Sequence, residues 1–180
     1  DFVVVGTNLT QRRSVYFSAK NTPNFKVIEA VGISSCFPVI FKPVWIEAGR
    51  GDPILGKLSG YWVDGGVLNN IPLHAFDGGG DIKSSLNPSV LGLALKPGAP
   101  QTSDYPVADE TDPLANLALD LLETVLVPSG PGQYATQNER DHIIEIFSYS
   151  LSLFDFAPSA SASRAPRQSA FDEVLSYFSR

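Results

Sequence analysis

A carboxylate beside two residues that carry no Cβ is the strongest chemical signal in this sequence. It is Asp64-Gly65-Gly66, preceded by Tyr61-Trp62-Val63 and followed by Val67-Leu68-Asn69-Asn70-Ile71-Pro72. The aromatic and β-branched approach reads as a strand, and the glycines let backbone or substrate come close to the acid. Pro72 has its φ set for the first turn of a helix, with Asn70 and Ile71 leading in. A strand, a sharp turn carrying an acid, and a helix are a common way for α/β enzymes to present a catalytic group. A turn without chemistry uses the same residue types, so the segment upstream has to decide.

That segment is apolar and helix-like through Val27, Ile28, Ala30 and Val31, and it ends in Ser34-Ser35-Cys36-Phe37-Pro38-Val39-Ile40-Phe41. The run EAVGISSCFPVIF, followed by YWVDGGVLNNIP, resembles the patatin-like phospholipase family. There a helix ends in a serine-rich turn with a proline and a phenylalanine, and an Asp-Gly-Gly turn comes later. The opening VVVGTNLTQRRSVYFS resembles the strand pair before that helix, and IIEIFSYSLSLFDF with the final helix resembles the closing segment. The resemblance implies a lipid acyl hydrolase with a Ser/Asp catalytic pair, and it assigns the aspartate to Asp64. Gly65, Gly66, Asn70, Pro72, Ser35, Pro38 and Phe41 are the motif residues expected to support it. The implied substrate is a lipid or phospholipid, met transiently at a membrane surface, and no cofactor or metal is implied.

The other parts of that machinery are missing from the sequence. It contains no Gly-x-Ser-x-Gly elbow and no glycine-rich oxyanion loop before one. The nearest approach, Gly32-Ile33-Ser34-Ser35-Cys36, has cysteine in the final glycine's place and falls at the later Ser/Pro/Phe turn, so Ser34 is rejected as nucleophile. There is no methionine, and Asp1 runs directly into the β-rich Phe2-Val3-Val4-Val5. Residues 1–180 are therefore expected to be the C-terminal portion of one patatin-like domain, dependent on its N-terminal part for the serine and the oxyanion glycines. The alternative is a non-catalytic lipid-binding or regulatory remnant of the same fold.

Composition narrows the partners. Hydrophobic residues make up 43% of the chain, enough for a sizeable core,. A net charge of −6 argues against nucleic acid and gives no general attraction to anionic membranes, so a lipid would be captured by apolar contact,. Cys36 is the single cysteine, which excludes an internal disulfide and fits a reducing compartment,.

The elements that must position Asp64 alternate between strand and helix, which argues α/β with a mostly parallel sheet flanked by helices. Strands are expected at Phe2–Thr7, Ser14–Ala19 and His142–Phe147, with Val39–Ile46 extended. Ser89–Leu95 reads as a strand buried on both faces. One helix is expected up to Ser34 with Asn24 as its cap. Another is expected from Pro113 to Val127, packing its Leu114, Leu117, Leu121 and Leu122 face on the sheet. A last helix starts near Ser169. Asp77-Gly78-Gly79-Gly80-Asp81 follows a helical segment and reads as a helix end with a glycine stop. His74 and His142 read as surface or satisfied core histidines. Arg50-Gly51-Asp52 reads as a turn, the Asn8-Leu9-Thr10 sequon carries little weight, and Pro97–Pro113 is the place expected for a mobile cover.

Overall fold

The computed structural model describes residues 1–47, 56–77, 86–96, 114, 117, 118, 121, 136–147, 159–160 and 164–179. Two compact units divide the chain, Asp1–Asn87 and Pro88–Arg180.

The first unit begins with a hairpin of β1 (Val3–Asn8) and β2 (Arg13–Ser18), antiparallel with Val5 opposite Tyr16 and Gly6 opposite Val15. Its tight turn is fixed by Asn8, whose Oδ1 accepts from the Gln11 N–H at 2.8 Å, and Arg12 takes a positive φ of 54° there. Helix α1 (Val27–Ser34) follows. Its N-cap is Lys26 rather than Asn24, with no side-chain cap bond, because the chain is still turning there: the Phe25 N–H donates to Thr22 O at 2.9 Å. Strands β3 (Val44–Ile46) and β4 (Gly60–Asp64) complete a four-stranded sheet of order β2-β1-β4-β3, antiparallel throughout. Only the last three residues of the Val39–Ile46 stretch are strand. Before them Val39 sits at φ 71° in a turn closed by the Phe41 N–H on Phe37 O, and a β-branched residue in the left-handed region cannot continue a strand,.

The core of this unit lies between α1 and one face of the sheet, where Phe17, Ala30, Ile33, Ile46, Leu58 and Trp62 are buried together. Gly6 makes the approach possible, since a Cβ there would lie 2.6 Å from Ile33 Cγ2,. After β4 come a one-turn helix α2 (Gly66–Asn69) and a 3-10 turn (Leu73–Phe76).

In the second unit β5 (Gly92–Lys96) and β6 (Ile143–Phe147) pair in parallel, Gly92 opposite Ile143. Helix α3 (Gln137–Asp141) carries a capping box, in which Thr136 Oγ1 accepts from the Glu139 N–H and Glu139 accepts from the Thr136 N–H,. Helix α4 (Arg164–Phe178) packs against β6, starts earlier than the sequence pattern indicates, and its Tyr177 hydroxyl donates to Asp141 O at 2.6 Å.

The fold class is α/β, and the strands expected at 2–7, 14–19, 61–63, 89–95 and 142–147 are all present with shifted ends. The direction of pairing differs between the units: β5 and β6 are parallel, whereas β1 belongs to the antiparallel sheet. Strand β5 is not buried on both faces, because Leu93 and Leu95 are exposed while Gly92 and Ala94 are buried. An apolar run therefore gave the wrong burial; the alternation of small and large residues within it was the better guide. Leu114, Leu117 and Leu121 are helical but 76%, 54% and 58% exposed, so the leucine face is not packed on the sheet as expected. A stripe at helical spacing specifies a face but not the surface that covers it. Arg50-Gly51-Asp52, Gly78–Asp81, Leu122 and Pro97–Pro113 lie outside the described residues.

Candidate functional site

Asp64 ends β4 opposite Gly6 of the central strand β1. Side chains alternate along a strand, so Asp64 lies on the face of Trp62, the face that α1 covers,. The next element lies on the other face. Gly65 rides against β1 there: a Cβ on it would fall 2.4 Å from the Val5 carbonyl oxygen, and Thr7 Oγ1 reaches Gly65 O at 3.4 Å. Residue 65 is thus the point where the chain crosses the end of the sheet, and the contact is with backbone, which cannot swing aside. Only glycine fits.

Gly66 begins α2, and its N–H donates to Asp64 Oδ1 at 2.7 Å. The carboxyl is half-buried. Burial raises its pKa above the ordinary value of 3.8, and the Gly66 N–H pulls it partly back,. The result is a more basic carboxylate whose orientation is fixed, with one oxygen held by the backbone.

The two sequence motifs meet here. The Asp64 N–H donates to Cys36 O at 2.9 Å, which fastens the end of α1 to the end of β4. Cys36 is buried, its Sγ lies 3.3 Å from Lys42 O, and burial pushes its thiol pKa up with the charge of Asp64 adding to the effect. Ser35 is exposed, and its hydroxyl donates back to Val31 O at 2.8 Å. Pro38 is half-buried in the turn and Phe41 is exposed. Asn70 is the C-cap of α2, and Pro72 precedes the 3-10 turn, with its carbonyl accepting from the Ala75 N–H. The helix after the acid therefore starts at Gly66, earlier than the proline signals.

Sequence reasoning missed Tyr16 and Asn69. Asn69 Nδ2 donates to the Tyr16 hydroxyl at 2.7 Å across the face opposite α1. Burial raises the Tyr16 pKa; the bond from Asn69 lowers it, and the charge of Asp77 adds to the rise. No local signal marks this pair, since Asn69 stands beside the motif position Asn70 and Tyr16 is one of several aromatics in strands.

Other polar residues singled out in the sequence are hydrogen-bonded within the fold. The side chain of Asp77 is 0% exposed, with Oδ2 2.5 Å from His74 Nδ1 and Oδ1 accepting from the Asn87 N–H at 2.8 Å. Asp77 closes the 3-10 turn, as a helix end should. His142 Nδ1 donates to Val90 O at 2.8 Å. Asn8 is 0% exposed and its amide donates to Ser59 O at 3.1 Å, so the acceptor asparagine of the sequon is buried in the fold. Among the described residues there is no cluster of three metal-ligating side chains, and no helix is long and apolar enough to cross a membrane.

Comparison with known proteins agrees with the resemblance carried by these motifs. Residues 1–77 match the family model of patatin-like phospholipases. The crystal structure of VipD from Legionella pneumophila is similar with a TM-score of 0.56 and 20% identity, over 97% of this chain and 30% of that one. The likeness is one of fold, and the chain spans less than a third of VipD's length. No curated protein matches the sequence.

Proposed function

From a chain whose first 77 residues match patatin-like phospholipases and whose fold is patatin-like, we propose that it supplies the aspartate half of a Ser/Asp lipid acyl hydrolase. Asp64 is the base. The serine and the oxyanion-hole donors come from sequence preceding residue 1, the N-terminal part of the same domain, and the substrate is a carboxylic ester of a phospholipid or related lipid. Asp64 accepts the serine hydroxyl proton as the oxygen attacks the ester carbonyl, then returns it to the leaving alcohol; water repeats the cycle on the acyl-serine. The observation that carries this reading is the state of Asp64: half-buried, raised in pKa, and fixed by the Gly66 N–H at 2.7 Å in a turn that only glycine allows. A base without an intervening imidazole needs that combination.

The test uses the full-length protein. Asp64→Asn should lower ester cleavage by about 10²–10⁴-fold, the usual contribution of a general base, with folding preserved. Asp77→Asn removes a carboxylate from a buried pair away from the turn, so it should lower the melting temperature and leave kcat near wild type. Full activity in folded Asp64→Asn would refute the assignment, whereas a folded full-length protein that cleaves no ester at all would favour a non-catalytic remnant.

A further inference from the structure

We propose that Asn69 and Tyr16 are positioning residues for Asp64, their amide-to-hydroxyl bond tying down the one-turn helix whose first residue holds the carboxylate. The catalytic consequence rests on Asp64 being the base; the mechanical claim does not.

Helix α2 has four residues, and a helix so short has no stability of its own, because nucleation costs more than one turn of hydrogen bonds returns. Contacts with the sheet must hold it. At its start Gly65 is wedged on the Val5 backbone and reached by Thr7. At its end Asn69 bonds Tyr16, which stands opposite Val5 on β2. The Asn69 N–H also donates to Gly65 O at 2.9 Å, so Asn69 joins the two anchors through one turn of backbone. Releasing the far anchor leaves α2 pivoting on Gly65, and the group nearest that pivot is the Gly66 N–H on Asp64 Oδ1. Charged groups on both sides are accounted for. Burial and, to a lesser extent, the charge of Asp77 disfavour the Tyr16 phenolate, and Cys36 is the titratable neighbour of Asp64.

The measurement is the titration of the Asp64 side-chain carboxyl by 13C NMR in the 180-residue chain, for wild type, Tyr16→Phe, Asn69→Ala and the double variant. Both single changes should move the Asp64 titration to higher pH, because a carboxylate that loses an N–H donor binds its proton more tightly. The double variant should move it no further than either single one, as expected for two ends of one bond. In the full-length protein both should lower kcat by about 10-fold with little change in KM, a mispositioning loss. An unchanged Asp64 titration in both single variants overturns the proposal, even where melts are lowered. Shifts that add in the double variant overturn it too. Full activity in Asp64→Asn would refute the base while leaving the titrations to decide the positioning claim.

Discussion

Asp64 illustrates what partial burial does to a carboxyl group. Its pKa is raised in the folded chain, so the folded form holds its proton more tightly than the unfolded form does. Stability contributed this way is present at low pH and is lost as pH rises from the ordinary carboxyl value of 3.8 through the higher folded one,. At neutral pH the ionised carboxylate is therefore a liability for folding. Asp64→Asn keeps an oxygen for the Gly66 N–H and removes the charge, so its melting temperature relative to wild type should rise between pH 3 and pH 7. A relative melting temperature that falls over that range would mean the carboxyl is stabilised as an anion, and the basicity argument would fail. The turn at this residue was legible in the sequence because an acid and its backbone demands coincide in Asp64-Gly65-Gly66. Tyr16 and Asn69 were not, because a hydrogen bond between residues 53 apart leaves no mark on either neighbourhood.

Between residues and fold stand the elements, and here glycine placement separates necessity from tolerance. Gly65 faces the Val5 backbone, with carbonyl oxygen and carbon at 2.4 and 2.7 Å from any added Cβ. Gly65→Ala should push α2 off β1 and cost about 1–3 kcal/mol, the usual overpacking penalty. Gly32, inside α1, has nothing within 4 Å of an added Cβ. Gly32→Ala should stabilise the chain by about 0.5–1 kcal/mol through helix propensity. Urea melts of both variants check the pair, and equal effects of the same sign would contradict the crossing geometry. Strand and helix positions were largely readable from β-branched runs and apolar spacing. The turn at Val39 was not, because its positive φ is imposed by ties between Phe37 and Phe41 and between Cys36 and Lys42 rather than chosen by valine. The direction of strand pairing was also hidden: β1 joins β4 only after α1 and β3 have been laid down, a non-local choice.

At the scale of the molecule, the fold class followed from alternation and the resemblance to patatin-like phospholipases from two linked motifs, but the proposed catalytic group needs residues beyond those motifs. Ser34 and Ser35 sit beside Cys36, whose carbonyl binds the Asp64 N–H, so they are the local serines that could compete for the nucleophile's role. Ser35 spends its hydroxyl proton on Val31 O at 2.8 Å, a helix-end bond that opposes activation, and neither serine stands on a strand-to-helix elbow of the kind that exposes a nucleophile. A fluorophosphonate probe, which reacts with activated serines, should accordingly leave the 180-residue chain unlabelled. The full-length protein should take up one equivalent at a serine preceding residue 1, and Asp64→Asn should slow that labelling without unfolding the protein. Stoichiometric labelling of Ser34 or Ser35 in the isolated chain would place the nucleophile at the end of α1 and remove the need for a second half. If the full-length protein resists the probe although it is folded, the fold has kept its aspartate turn without its chemistry, and the lipid-binding remnant becomes the better account.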